Sequence, residues 1–447
     1  MNTNNLKINA WITQNDKKML LERVDITPNK INSKNELNTI EIDSTKKYQQ
    51  IDGFGAALTE SSAYLFSKLD KTRRIELLKD LFTELGIDIN LIRITVGASD
   101  FSLSSFTYDD ITPGEEDLKL EHFTIEKDYV YLIPMLKEIL SLKKDIQIVS
   151  SPWSAPAWMK NTKHVHGGSL EKKYFDVYAN YLDKYIEAYQ KEGINIYAIT
   201  PQNEPMHEVD TYPTMTMSKE DQLEFVVKLK EVFNKNKRTT GIISYDHNWD
   251  EPEYPKSILD DPKGYNAVIG SGFHCYAGHV SAQNKVHEAH PEKGIWFTEC
   301  SGGAWATNFS DNITWNMENV FMGSLNNYSK SVLMWNLALD DHHGPTNGGC
   351  MNCRGVLTVH EDGTYTKNEE YYFIGHFSKF VKKGAYRIDT KASNPNLLVT
   401  SFINPDQSKV VVVHNKAGEE ITFDLVIDGI NTTLSINNKT TISYVIK

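Results

Sequence analysis

Two glutamates, Glu204 in TPQNEP and Glu299 in WFTECSGG, stand at the ends of strand-like runs. A carboxylate held there, beside asparagine or tryptophan, is in an uncommon place for a merely solvating charge, although each alone also fits a structural ion pair. As a pair they suit the cleavage of a glycosidic bond. One donates a proton to the leaving oxygen, and the other attacks the anomeric carbon or activates water. A separation of about 5–5.5 Å gives a covalent intermediate and retention, and ~6.5–9.5 Å gives inversion. Trp153, Trp158, Trp249, Trp305 and Trp335 lie at or shortly after strand ends. A single buried Trp is usually core, but five near one face suggest indoles that stack on sugar rings. His274 and Tyr276 flank Cys275, and strand alternation turns both to one side with Cys275 on the other. They read as hydrogen-bonding groups aimed at a nucleophile, or as satisfied residues of a barrel interior. The same alternation turns Cys300 away from Glu299, as a buried apolar filler.

The elements that must position these residues follow an alternating pattern. Eight β-branched runs begin at Ile51, Ile89, Ile146, Ile194, Thr239, Asn266, Gly294 and Lys330. Longer charged amphipathic stretches separate them, among them 71–85, 126–144, 172–193 and 218–236. In the second, Val130, Ile133, Leu136 and Ile139 recur at near-helical spacing, and Gly193 closes the third as a helix-ending glycine. The fold class is therefore α/β, a (β/α)8 barrel whose reacting groups gather at the C-terminal ends of the strands. A doubly wound sheet would show an early GxGxxG or Walker loop; IDGFGAA has the wrong glycine spacing. Residues 7–45 and 386–447 are strand-rich, which predicts a small β-sandwich side domain built from both termini. The expected division is 1–45 for its N-terminal strands, 46–384 for the barrel and 385–447 for its C-terminal part. No Pro- or Gly-rich linker separates them, so a fixed orientation is expected.

The chain has 447 residues, 40% hydrophobic and 24% charged, enough for a large core and unlike a disordered chain. A net charge of −12 argues against a nucleic-acid partner. No apolar run approaches the ~20 residues of a membrane span. The first twenty residues lack a leader-like apolar segment, so the chain reads as cytoplasmic, or as secreted where a leader precedes this sequence. Four cysteines do not make a disulfide framework. His342, His343, Cys350 and Cys353 could offer four zinc ligands; a local disulfide or free thiols are the alternatives. Paired-carboxylate chemistry itself calls for no cofactor and no metal. A carbohydrate-binding protein without turnover is the remaining rival. Oligomeric state is not readable.

The motif set resembles glycoside hydrolase family 30, the glucosylceramidase-like retaining β-glycosidases. The carrying segments are IDGFGAALTESSA at 51–63, LIRITVGASDFS at 91–102, SSPWSAPAWMK at 150–160 and ITPQNEP at 199–205. They continue with FHCY at 273–276, FTECSGG at 297–303 and WNLALDDHHGP at 335–345. The resemblance implies Glu204 as acid/base and Glu299 as nucleophile. It also implies that Asn203 contacts the sugar 2-hydroxyl, that Asp100, Trp153 and Trp335 form the sugar pocket, and that Arg93, His274 and Tyr276 surround the carboxylates. Glu204 is then expected to be raised by its surroundings, with Arg93 and Tyr276 keeping Glu299 ionised. Implied substrates are carbohydrates or glycoconjugates: glucosylceramide, β-glucosides or β-1,6-glucan, with β-xylosidase, β-fucosidase and β-1,6-galactanase activities as alternatives. Asp100 and Trp153 match the glucosylceramidase and glucanase members, which recognise unsubstituted equatorial 4- and 6-hydroxyls. The stretch DDHHGPTNGGCMNCRG departs from the glucosylceramidase pattern and is expected to border the cleft.

Overall fold

The computed structural model describes residues 7–26 and 38–447; readings that fall on 1–6 and 27–37 lie outside them. The chain opens with β1 (Ile8–Thr13), β2 (Leu20–Val24) and β3 (Thr39–Gln50). Then come β4 (Gly53–Ala57), β5 (Leu91–Val96), β6 (Gln147–Pro152), β7 (Ala198–Ile199), β8 (Gly241–Asn248), β9 (Gly270–His274) and β10 (Gly294–Glu299). A two-residue β11 (Gly302–Gly303) precedes β12 (Ser329–Asn336). Strands β4 to β10 and β12 close a parallel barrel in the order β10-β12-β4-β5-β6-β7-β8-β9. All eight expected runs thus find their place. A strand such as β5 is buried along its whole length because barrel side chains fill one face and helices cover the other. Leu91, Val149, Ala198, Ile243, Trp296 and Leu333 plug the interior below the strand ends.

Local chemistry explains where the elements stop. β7 is short because Pro201, two residues on, has no N–H for the ladder. The stretch 126–144 is not one helix: a 3-10 turn at Glu126–Tyr129 precedes an α-helix over Leu132–Leu142. Pro134 is the cause, since a proline is tolerated in a first turn but not in a helix interior. Val130 therefore falls outside the helix and is 58% exposed, whereas Ile133, Leu136 and Ile139 are buried. The helix Phe175–Lys191 ends before Gly193, whose φ of 78° is left-handed, as the sequence anticipates. The helix Lys219–Lys235 starts at Ser218, whose hydroxyl accepts from the Asp221 amide, a cap contributing ~1 kcal/mol.

After the barrel, β13 (Ala338–Asp340), β15 (Leu357–Val359) and β16 (Tyr365–Lys367) form a small sheet, while β14 (Cys353–Arg354) pairs with β11. Six strands finish the chain: β17 (Tyr386–Ala392), β18 (Leu397–Ile403), β19 (Lys409–Asn415), β20 (Ile421–Ile427), β21 (Ile430–Ile436) and β22 (Thr440–Ile446). With β1–β3 they build one nine-stranded sheet, order β2-β1-β22-β19-β18-β17-β3-β20-β21, wrapped around its own core of Ala10, Ile40, Ile388, Val411, Phe423 and Tyr444. It docks on the barrel through Trp11 against Phe380, ring centroids 4.5 Å apart, and through two buried histidines. His376 bridges Thr13 and Ser443, both at 2.7 Å; His414 bridges Thr441 and Thr314, both at 2.9 Å. No helix among the described residues is long and apolar enough to cross a membrane.

Candidate active site

The C-terminal ends of the barrel strands open into a cavity of ≈ 410 Å³. Glu299, the last residue of β10, and Glu204, five residues past β7, face each other there. With His274 they present ligand-type atoms all within 4.8 Å of one another. That closeness favours the shorter of the two carboxyl separations, the one that goes with retention. A dication among the three would meet the Arg93 guanidinium, which donates to Glu299 Oε1 at 2.6 Å. Glu204 itself has a left-handed φ of 47°, and its amide donates to the Asp246 carbonyl at 3.0 Å. Holding a non-glycine residue there costs on the order of 1–3 kcal/mol and over-determines where its carboxylate points.

Below the carboxylates lies a buried ionic network. Arg93 is wholly buried on β5 and donates to Glu299, to Asn203 Oδ1 at 2.8 Å and to Asp246 Oδ2 at 2.8 Å. Its guanidinium also faces Trp153 and Trp335, 5.0 and 5.7 Å from the ring centroids. The Arg93 contact fixes the Asn203 amide and leaves its nitrogen as the end turned away from the guanidinium. Asp246 was not anticipated, yet it is the hub. It accepts from Arg93, Ser151, Thr200 and Thr298, and meets His274 Nε2 at 2.7 Å. A bulge explains why alternation misses it. Tyr245 pairs with Gly272 and His247 with Phe273, so Asp246 is the extra residue, and φ is positive at both 245 and 246. The polar run DHN ending an apolar strand was the available signal. His207, Tyr212, His247 and Asn248 also line the cavity without having been singled out.

The charges are set by burial and by these partners. Burial works against the charged form of Asp246, but Arg93 and His274 hold it well below the usual carboxylate range. Burial opposes a charge on His274 as well; Asp246, Glu299 and Glu204 overcome it and push the imidazole up to about 9. Its Nδ1 lies 2.9 Å from Glu204 Oε1. Burial would raise Glu204, yet the hydrogen bond and charge of His274 outweigh it and the net direction is down. This corrects the expectation that the surroundings raise Glu204: the His274 imidazole lowers it instead. Glu299 is pushed up by burial, against the pull of His274, Arg93 and the Tyr276 hydroxyl at 2.7 Å. Asp100, at the cavity wall, is raised to about 8 by burial and by the Glu299 charge.

Other expected residues divide. Trp153 and Trp335 line the cavity, stacked with centroids 5.2 Å apart, and Trp305 stands at its rim. Trp158 and Trp249 do not reach it: each is core, with its indole N–H donated to the Asp109 carbonyl and to Gln283 respectively. Cys300 is buried but is no filler, because it is bonded to Cys275 with Cα atoms 5.5 Å apart. In the parallel register Glu299 lies opposite His274, which sets the next residue of each strand side by side. That neighbour relation is invisible until the register is known. The zinc alternative is overturned too. Cys350 and Cys353 are bonded to each other, His342 is 81% exposed at its side chain, and His343 Nδ1 contacts the Cys353 carbonyl. The stretch 340–355 does border the cleft: Asn347 bonds to Ser99 and Ser105, and Gly349 packs on Asp100 where no Cβ would fit.

Comparison with known proteins extends these observations. Residues 51–381 match the glycosyl hydrolase family 30 TIM-barrel domain, and residues 384–444 match the family's beta sandwich domain. An endo-1,6-beta-D-glucanase of Neurospora crassa is 34% identical over 402 residues, covering 86% of this chain and 82% of the relative. The lysosomal acid glucosylceramidase of Mus musculus is 29% identical over 413 residues, covering 85% and 78%. A solved endo-beta1,6-glucanase superposes with a TM-score of 0.90 at 31% identity, covering 98% of this chain and 99% of that one.

Proposed function

Because the chain belongs to glycosyl hydrolase family 30 and is thereby a retaining β-glycosidase of β-glucosidic bonds, we propose that it cleaves β-1,6-linked glucan, with Glu299 as nucleophile and Glu204 as acid/base. The observation that carries the assignment of roles is the asymmetry of the partners. Glu299 faces a permanent cation, Arg93, and a phenol donor, Tyr276; Glu204 faces a group that can give up a proton, His274.

In the first step a Glu299 oxygen attacks C1 as the C1–O bond to the leaving group breaks. The leaving oxygen takes a proton from Glu204, which has received it along the 2.9 Å bond from His274. Glu299 has then lost its charge to an ester, which removes one of the anions that held His274 protonated. In the second step the Glu204 carboxylate takes a proton from water, the water oxygen attacks C1, and Glu299 departs as carboxylate. Asn203, held by Arg93, faces the 2-hydroxyl, and Trp153, Trp335 and Asp100 form the wall around the ring whose bond is broken.

The test is a mass-mapped trapping experiment. A 2-deoxy-2-fluoroglucosyl fluoride should inactivate the enzyme and leave one label, on the peptide carrying Glu299. A label elsewhere, or turnover of aryl β-glucosides by Glu299→Gln, would remove the assignment. A β-1,6-glucan left intact beside rapid glucosylceramide hydrolysis would move the substrate to the lipid. We also place the protein in an oxidising compartment rather than the cytoplasm, since all four cysteines are paired. A thiol titration under denaturing, non-reducing conditions that finds four free thiols would reverse this.

A further inference from the structure

A second groove, ≈ 590 Å³, opens beside the catalytic cavity and shares Tyr276, Ser301 and Trp305 with it. Its lining includes the Cys275–Cys300 disulfide and Trp315, neither of which lines the catalytic cavity. The exposed aromatic rings among the described residues are Tyr48, Tyr129, Tyr276, Trp305 and Trp315, and the last three all line this groove. Trp305 is 55% and Trp315 45% exposed. Leaving two indoles and a phenol ring in water is unfavourable unless something covers them.

The barrel order says what that is. The two carboxylates divide the ring of strands into two arcs. One arc, β12-β4-β5-β6, carries Trp335, Asp100 and Trp153, the wall of the ring whose C1 is attacked. The other, β8 and β9, carries His247, Asn248 and Tyr276. The leaving group therefore emerges over the second arc, and the groove continues outward from there. Beside its aromatic rings stand hydroxyl, carboxamide and carboxylate side chains, including Ser301, Thr307, Asn308 and Asp311. Flat aromatic faces with short polar groups beside them suit sugar rings, whose C–H faces stack and whose hydroxyls need hydrogen-bond partners.

We infer that this groove binds the leaving-group side of the glucan chain, with Tyr276, Trp305 and Trp315 as successive stacking platforms and Trp315 as the outermost. The inference rests on the glucan reading above and adds to it where the far sugars lie. The test compares kcat/KM on β-1,6-glucan with kcat/KM on 4-nitrophenyl β-glucoside, whose leaving group is too short to reach Trp315. In Trp315→Ala the glucan-to-aryl ratio should fall about tenfold, chiefly through KM, a loss of the size of one aromatic stack. Trp315→Phe should recover most of it. An unchanged ratio in Trp315→Ala, with wild type turning over both substrates, overturns the groove alone. A wild type that cleaves the aryl glucoside but not the glucan overturns the substrate reading and the groove with it. A loss confined to glucosylceramide in Trp315→Ala overturns the sugar as occupant.

Discussion

Acidification should weaken the joint between barrel and sandwich through two residues. Burial pushes His376 down to about 3, helped by His414, and pushes His414 down to about 3, helped by Lys439 and Lys416. Both stay neutral and bridge hydroxyls across the joint. In the unfolded chain each returns to its ordinary value near 6.5. Their folded values are depressed, so the unfolded state binds the extra protons between pH 6.5 and 3. The stability they permit is complete above 6.5 and drains as pH falls toward 3. At pH 5 each costs ~2 kcal/mol relative to pH 7.5, about 4 kcal/mol for the pair. That figure depends on the unfolded value alone while the folded one stays below about 4. Carboxylates whose folded values are raised act in the opposite sense. Asp100 at about 8, and Asp109 and Asp128 at about 7, are raised, so the folded state takes up their protons first and gains stability as pH falls. Wild type alone therefore does not isolate the histidines. The double variant His376→Gln/His414→Gln does, because glutamine donates and accepts without titrating. Urea unfolding followed by tryptophan fluorescence at pH 5 and 7.5 should show the variant losing about 4 kcal/mol less than wild type. Parallel pH dependences in the two proteins would refute the reasoning.

Three shorter expectations accompany it. Asp246→Asn removes the largest influence holding His274 at about 9; NMR titration should find the imidazole clearly lowered from that value, with kcat/KM reduced on the order of 10²–10⁴, as when the carboxylate orienting a catalytic histidine is lost. Glu204→Ala should cut glucan turnover ~10³-fold, while azide, a nucleophile needing no general base, restores turnover of an activated aryl glucoside and yields the β-glucosyl azide. Removing the Cys275–Cys300 link, which closes a 25-residue separation, by Cys275→Ala/Cys300→Ala should lower unfolding stability by ~3 kcal/mol in a urea titration.

The barrel was legible because its signal is local. Each β-branched run and the amphipathic stretch after it can be recognised without knowing its neighbours, and Glu204 and Glu299 advertise themselves by standing where runs end. What stayed hidden depends on register. Asp246 required knowing that β8 carries a bulge, and the Cys275–Cys300 bond required knowing that Glu299 lies opposite His274. Pairwise electrostatics were hidden for a related reason: Glu204 is lowered rather than raised because of an imidazole seventy residues away in the chain. Within the strand-rich 386–447, β17 and β21 carry the weakest strand pattern of their own. The first carries Arg387, Asp389 and Lys391, and the second opens on two exposed positions, Ile430 and Asn431, so their pairing comes from neighbouring strands more than from their own pattern.

The interleaved order of the nine-stranded sheet also sets a schedule for the newborn chain. β1 pairs with β22, and β3 lies between β17 and β20, so none of the first strands finds those partners until the final ones leave the ribosome. The intervening barrel, matched over 51–381, takes tens of seconds to translate at ~5–20 residues per second. The barrel can therefore close while β1–β3 still wait, their ladder edges open to any passing strand. A ribosome stalled before residue 386 would release a chain with an assembled cleft and an unfinished flank, a natural client for a chaperone that shields β edges.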